Sequence, residues 1–252
     1  MAWCTLSFDS AALKRPEKIE VLIPQDGFKS LRQKDDFSVL FILHGLHKDR
    51  KEWLLDSQLP YLVRELPLLV VMPTCRNAFY INTENGYNYM DYITKELPAF
   101  IKELFPVSED PKKWTIMGES MGGYGSLVCG LHHPEVFGKI VSFSGAVDII
   151  AAAENFTDVL AADLFGNEKK AEDNGYELFS FSEKIENAQP IWMCCGRSDS
   201  PLDMNRIVKE CFHKLSCPDF EYQYHETRRY GYEWAFWKEE LENFLIYLDL
   251  SD

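Results

Sequence analysis

The residues with the clearest capacity for chemistry lie at positions 118–122, where the chain reads Gly-Glu-Ser-Met-Gly. This segment fits the pattern G-x-S-x-G, in which a strand turns sharply into a helix and presents a serine hydroxyl at the turn. The serine of such a turn has a strained backbone, and the glycines let strand and helix approach closely. Gly123 and Gly125 follow, although a helix loses about 1 kcal/mol for each glycine relative to alanine. The sequence therefore predicts a nucleophile elbow with Ser120 as the nucleophile.

A second element suited to the same chemistry is His44-Gly45-Leu46, which follows a continuous apolar run. In an elbow of this type, the loop after that strand supplies one backbone amide for the developing oxyanion, and the residue after the serine supplies another. We therefore predict that the N–H groups of Leu46 and Met121 form an oxyanion hole. We interpret His44 as a structural histidine that bonds nearby backbone.

The acid and the base that activate a serine are expected later in the chain, in that order. Asp199 follows an apolar run and is the predicted acid, while Asp203 is a weaker candidate in a capping-box-like position. Histidine is absent from residues 226–237, where the base is expected. The nearest histidine is His225, at the end of the last predicted strand.

Apolar and alternating runs predict the elements that must hold these residues. Strands are predicted at residues 18–24, 37–43, 66–72, 114–117, 139–144, 191–195 and 220–224, and helices at 89–104 (interrupted at Pro98), 121–132, 204–215 and 234–248. Strands that alternate with helices indicate an α/β fold with a mainly parallel sheet and helices on both faces. We expect a single domain over residues 1–252, with a cap-like insertion at 146–188.

Composition narrows the functional classes. The net charge of −14 would repel nucleic-acid phosphates, and no apolar run is long enough to cross a membrane. The first residues do not resemble a signal peptide, so we expect a cytoplasmic protein. The seven cysteines include no C-x-x-C pair, and no histidine or carboxylate pattern indicates a metal, so neither metal nor cofactor is expected. The sequence leaves homo-oligomer formation open.

Together these motifs resemble the tributyrin-esterase branch of the α/β-hydrolases, related to S-formylglutathione hydrolase (esterase D) and to feruloyl and acetyl-xylan esterases. The matching pieces span nearly the whole chain: His44-Gly45-Leu46 with Trp53, Val71-Met72-Pro73, Gly86-Tyr87, Glu96-Leu97-Pro98, residues 118–125, residues 142–145, Cys195-Gly196 with Asp199, and Glu233-Trp234 with Trp237. The resemblance implies a serine esterase for short acyl or aryl esters, acetyl, butyryl or cinnamoyl-like, through an acyl-enzyme on Ser120. Trp53 and Tyr124 are interpreted as lining the substrate pocket.

The chain departs from this family at one position. The family has its catalytic histidine directly before the acidic residue and tryptophan that match Glu233-Trp234, and here Tyr232 stands in that place. Serine is a poor nucleophile without an adjacent base, so the departure puts turnover in doubt.

Four explanations remain open. The chain is a weakened or inactive homologue that binds a ligand or partner, or the tyrosine was introduced to silence an active esterase. Alternatively, His225 replaces the base if the loop bulges toward Ser120, or Tyr232 itself acts with its pKa lowered by Arg228 or Arg229. Acyl transfer through the same acyl-enzyme is a further alternative to hydrolysis.

Overall fold

In the computed structural model, residues 1–24, 37–84, 86–155, 168–182, 185, 189–214 and 221–248 are described. This part of the chain contains one sheet of eight strands in the order β1-β2-β4-β3-β5-β6-β7-β8. The strands are β1 (Ala2–Ser10), β2 (Arg15–Ile23), β3 (Ser38–Leu43), β4 (Leu68–Pro73), β5 (Trp114–Glu119), β6 (Lys139–Phe143), β7 (Ile191–Gly196) and β8 (Tyr222–Thr227). β2 runs antiparallel to both of its neighbours, and the pairs from β4 to β8 are parallel.

The helices connect these strands on both sides of the sheet. They are α1 (Glu52–Leu55), α2 (Leu59–Leu62), α3 (Tyr89–Asp91), α4 (Leu97–Leu104), α5 (Met121–His132), α6 (Ile149–Asn155), α7 (Glu168–Asp173), α8 (Leu178–Ser182), α9 (Leu202–His213) and α10 (Trp234–Tyr247). Val39 and Phe41 of β3 face the core that contains α5, while Leu40 and Ile42 face the core that contains α10. The predicted parallel sheet between two helical layers is therefore confirmed.

The structure differs from the sequence-based expectation in three places. β1 was not predicted, although Cys4, Leu6 and Phe8 alternate with more exposed polar residues along it. The last strand runs to Thr227, so His225 lies within it rather than after it. For the expected cap at 146–188, the structure describes residues 146–155, 168–182 and 185, which include α6, α7 and α8, and the rest of that segment lies outside the described residues.

The helix over residues 89–104 is divided, as Pro98 predicts. Tyr92–Glu96 forms a π-helical turn between α3 and α4, and Pro98 occupies the first turn of α4. A proline fits there because it has no N–H to donate to the preceding turn. In the described ranges, no helix is long and apolar enough to cross a lipid bilayer.

Helix α5 packs closely against its neighbours, and a substitution at Gly125 would test this close packing. A Cβ atom at Gly125 would lie 2.3 Å from the ring of Tyr80, whose hydroxyl donates to the carbonyl of His44 at 3.0 Å. We expect Gly125→Ala to lower the free energy of unfolding by about 1–3 kcal/mol, although alanine favours helices.

Urea denaturation measures this change. Gly231→Ala is the matched control, because its Cβ would meet no atom closer than 3.3 Å. Equal stabilities for the two variants would contradict the close contact between α5 and Tyr80.

Candidate active site

Ser120 stands at the turn between β5 and α5 with a backbone that few side chains adopt. Its φ is +55° and its ψ is −117°. The strained turn is held from three sides: the Ser120 N–H donates to Phe143 O at 3.0 Å, and the Ser120 carbonyl accepts from the N–H groups of Tyr124 and Ala146 at 3.0 and 2.9 Å. Strain persists only where surrounding contacts impose it, and it is frequent at active sites.

The glycines of the motif permit this turn sterically. A Cβ at Gly118 would lie 2.4 Å from the backbone of Gly122, and a Cβ at Gly122 would lie 2.1 Å from the carbonyl oxygen of Leu43. Because these neighbours are backbone atoms, they cannot rotate away. The start of α5 is therefore pressed against the ends of β3 and β5, which fixes the position of Ser120.

Two backbone amides beside this turn are suited to bind an oxyanion. Met121 is the first residue of α5, where an N–H has no partner within its own helix. The Leu46 N–H donates no hydrogen bond to any atom in the described part of the chain. Both groups therefore retain a donor, as the predicted role of Leu46 and Met121 requires.

A buried carboxylate, Glu119, joins the elbow to the loop that carries Leu46. Its two oxygens accept from the Gly45 N–H at 2.5 Å and from Trp53 Nε1 at 2.6 Å. Burial raises the pKa of Glu119 to about 8, against the opposing effect of these hydrogen bonds. Glu119 thus positions the backbone next to Leu46.

Asp199, the predicted acid, is also buried, with 5% of its surface exposed. Its Oδ2 accepts from Ser144 Oγ at 2.5 Å and from the Gly196 N–H at 2.9 Å. Ser144 Oγ in turn accepts from Trp237 Nε1 at 3.1 Å. Asp199 Oδ1 has no hydrogen-bond partner among the described residues. One oxygen of the acid is therefore anchored, and the other lacks a donor.

Tyr232 reaches the nucleophile. Its ring packs edge-on against Trp237 with centroids 4.8 Å apart, and its phenol is close enough to the Ser120 hydroxyl for that hydroxyl to oppose the rise of its pKa. Although 45% of the residue is exposed, burial raises its pKa to about 12, and the negative charges of Glu119 and Asp199 add to the rise. The phenol is therefore protonated at neutral pH.

The pKa shift of Tyr232 has the opposite sign to the one required if Arg228 or Arg229 activated it. The Arg229 guanidinium instead lies over the ring of Tyr230, 5.0 Å from its centroid. The hypothesis that the arginines lower the pKa of Tyr232, so that it acts as an ionised base, is therefore wrong.

His225 does not lie where a substitute base would be needed. β8 pairs with β7 without a bulge, and His225 stands opposite Cys194. Its Nδ1 lies 3.1 Å from Glu240 Oε2 of α10, and its ring packs edge-on against Trp192. The bulge that would bring His225 toward Ser120 is absent, which corrects that expectation.

His44 is structural, as predicted. Its Nδ1 lies 2.8 Å from the carbonyl oxygen of Gly45, and its Nε2 accepts from the Cys75 N–H at 2.9 Å. Both ring nitrogens are engaged with backbone, and burial lowers the pKa of His44. A neutral imidazole held in this way carries no proton to Ser120.

The expected roles of Trp53 and Tyr124 in a substrate pocket are not what the structure shows. Trp53 is 1% exposed, and Tyr124 has no exposed surface and donates to the carbonyl of Tyr176 at 2.6 Å. Both are packing residues, because a buried ring is already surrounded by protein. Asp203 is exposed beside Arg206, so it does not take part in the site.

Sequence reasoning gave no role to Glu119, Ser144 or Trp237, although all three lie in motifs that it quoted. Ser144 follows β6 with a φ of +47°, and it bridges Trp237 and Asp199. Its position directly after a buried strand was the available signal, since functional groups gather at the carboxyl ends of parallel strands.

The raised pKa of Glu119 predicts how stability depends on pH. The folded state takes up a proton that the unfolded chain, with an ordinary pKa of 4.5, releases. The stabilising contribution of this proton is therefore complete below about pH 4.5 and is lost as the pH rises through about 8.

We expect the free energy of unfolding to fall over this interval in the native chain and to fall less in Glu119→Gln, which cannot titrate. Urea denaturation at a series of pH values measures both. The same slope in both proteins would show that Glu119 titrates normally.

Comparison with known proteins gives the family. The sequence profile of the family described as "Putative esterase" matches residues 10–248. An acetyl esterase of Caldicellulosiruptor saccharolyticus is 26% identical over 260 residues, covering 96% of each chain.

Solved structures agree in fold. Fluorophosphonate-binding serine hydrolase F of Staphylococcus aureus superposes with a TM-score of 0.88 at 22% identity, covering 100% of this chain and 99% of that one. An S-formylglutathione hydrolase of Agrobacterium tumefaciens gives a TM-score of 0.83 at 20% identity, covering 98% and 94%. The fold is that of the α/β-hydrolases, and the chain belongs to this esterase family.

Proposed function

We propose that this protein recognises short acyl or aryl esters at a serine-esterase site centred on Ser120, and that Tyr232 limits its turnover. The observation that carries the proposal is the state of the nucleophile. Ser120 lies beside a protonated phenol, while Asp199 Oδ1 lacks the donor that an imidazole would supply. Esters with acetyl, butyryl or cinnamoyl-like acyl groups are the substrate class.

The family and its relatives support the choice of ester chemistry. The Caldicellulosiruptor relative is an acetyl esterase, and its similarity covers nearly all of both chains. The strained turn at Ser120 and the donors of Leu46 and Met121 support nucleophilic attack at a carbonyl rather than simple ligand binding.

In the proposed mechanism, Ser120 Oγ attacks the ester carbonyl, and the N–H groups of Leu46 and Met121 stabilise the oxyanion. Pre-positioned donors of this kind contribute several kcal/mol to lowering the barrier. Tyr232 does not accept the proton of Ser120 at neutral pH, because burial raises its pKa to about 12 and keeps the phenol protonated. Loss of the base typically removes several orders of magnitude in rate.

Binding without efficient turnover is the second candidate, and the contact between Tyr232 and Ser120 favours it. The phenol beside Ser120 is protonated at neutral pH, so it takes up no proton from the serine hydroxyl. A ligand would then occupy the site while the ester bond remains intact. Covalent labelling separates the two functions, because a fluorophosphonate reacts only with a serine that can still attack.

Replacement of Tyr232 by histidine tests the proposal. We expect Tyr232→His to raise kcat/KM for p-nitrophenyl acetate by about 10²- to 10⁴-fold, because the imidazole gains Ser120 on one side and Asp199 Oδ1 on the other. The gained activity should decline as the pH falls through about 6–7, where imidazole becomes protonated.

Three variants control this experiment. Tyr232→Phe removes the hydroxyl without adding a base and should gain no pH-dependent activity. Adding Ser120→Ala to Tyr232→His should abolish the gain, and His225→Gln should leave the rate of the native chain unchanged. A folded Tyr232→His protein with no gain in kcat/KM would refute the view that position 232 limits turnover.

A further inference from the structure

The six histidines of the chain all lie in described residues, and the contacts of those nearest the site direct them elsewhere. The nitrogens of His44 bind backbone, and His225 contacts Glu240. The His47 ring lies 2.9 Å from the Asn77 side chain, which also accepts from the His47 N–H. His44 and His225 are thus held by other groups, whereas Tyr232 lies close enough to Ser120 for the serine hydroxyl to affect its pKa.

This arrangement affects the two halves of an ester reaction differently. When Ser120 is acylated, the leaving group of the substrate departs, and a neutral phenol assists weakly. Phenols and thiols have pKa values of about 10 and 8.5, so they depart as anions with little help. An alkyl alcohol is a much weaker acid and needs a general acid to leave. Acylation is thus restricted to activated acyl donors.

The second half is deacylation, in which water must displace the oxygen of Ser120 itself. The acyl-serine is an alkyl ester, with a leaving group far worse than a phenol or a thiol. The attacking water also needs a base, and Tyr232 beside Ser120 is a protonated phenol. The acyl-enzyme is consequently less reactive than the aryl esters and thioesters from which it forms.

We infer that this protein captures acyl groups from activated donors, aryl esters and thioesters, and holds them on Ser120 as a long-lived acyl-enzyme. The inference rests on the proposed function of Ser120. In the step, the bond between Ser120 Oγ and the acyl carbon forms, and the bond from that carbon to the aryl oxygen or thiol sulfur breaks. The Ser120 proton is released to water, the aryl oxygen or thiol sulfur departs as an anion, and the Tyr232 phenol stays protonated.

Intact-mass spectrometry of the native chain tests the inference. Samples are incubated with p-nitrophenyl acetate, phenyl thioacetate or ethyl acetate, and p-nitrophenol release is followed in parallel. We expect one acetyl group per chain from each activated donor, located on Ser120 by peptide mapping, and none from ethyl acetate. Release of p-nitrophenol should show a burst of about one equivalent, followed by a phase at least about 100-fold slower.

The controls separate this inference from the proposed function. Ser120→Ala should lose the adduct, and Tyr232→His should form it only transiently because the imidazole also activates water. If Tyr232→His is an active esterase but the native chain forms no adduct, the inference fails and the proposed function stands. If neither protein reacts, both fail.

Two other results would overturn the inference. One is steady turnover of p-nitrophenyl acetate by the native chain without a burst, especially if His47→Gln abolished that turnover. The other is equal acylation by ethyl acetate, which would mean that a general acid operates in the site.

Discussion

The close backbone contact between the start of α5 and the ends of β3 and β5 is the constraint on which the site depends. Gly118 and Gly122 permit it, since the Cβ atom of any other residue would lie within 2.4 Å of backbone. This contact forces Ser120 into its strained conformation and leaves the Met121 N–H at the start of a helix, without a partner in that helix. The positions of the proposed nucleophile and of one proposed oxyanion donor thus share a single steric cause.

Two buried carboxylates extend this constraint to the neighbouring loops. Glu119 holds Gly45 and Trp53, while Asp199 is held by Ser144 and Gly196. The indole rings of Trp53, Trp234 and Trp237 connect the two networks, with successive centroids 5.1 and 5.2 Å apart. Glu119 has a donor on each oxygen and Asp199 has two donors on Oδ2, so both carboxylates are held without an imidazole at position 232.

Much of the fold was predictable from the sequence, because buried parallel strands give continuous apolar runs. Helix α5 was predicted over its observed length, Met121–His132, for a related reason. Its residues form a largely apolar segment that begins at the glycines of the elbow. β1 was missed because only one of its faces contacts the core, and its short alternation resembles an irregular terminus. His225 illustrates another limit, since strand register decides which face a residue occupies.

The site was predictable only where the neighbouring residues in the sequence identify the functional residue. Ser120 is marked by adjacent glycines, whereas the burial of Trp53 and Tyr124 depends on residues far away in the chain. The pKa of Tyr232 likewise depends on burial and on the charges of Glu119 and Asp199, which no local pattern reveals. Burial here overrides any effect of the adjacent arginines, and the sign of the shift follows from the fold.

The unpartnered Asp199 Oδ1 is the clearest physical consequence of tyrosine at position 232. A buried acceptor without a donor costs about 1–3 kcal/mol, and more if it is charged. The fold tolerates this cost because Asp199 Oδ2 accepts from two donors, the Ser144 hydroxyl and the Gly196 N–H. An imidazole N–H would relieve the cost, whereas the Tyr232 hydroxyl donates no hydrogen bond to this oxygen. Asp199 Oδ1 therefore connects stability to catalysis. An imidazole at position 232 that donates to this oxygen would also supply the base that Ser120 lacks.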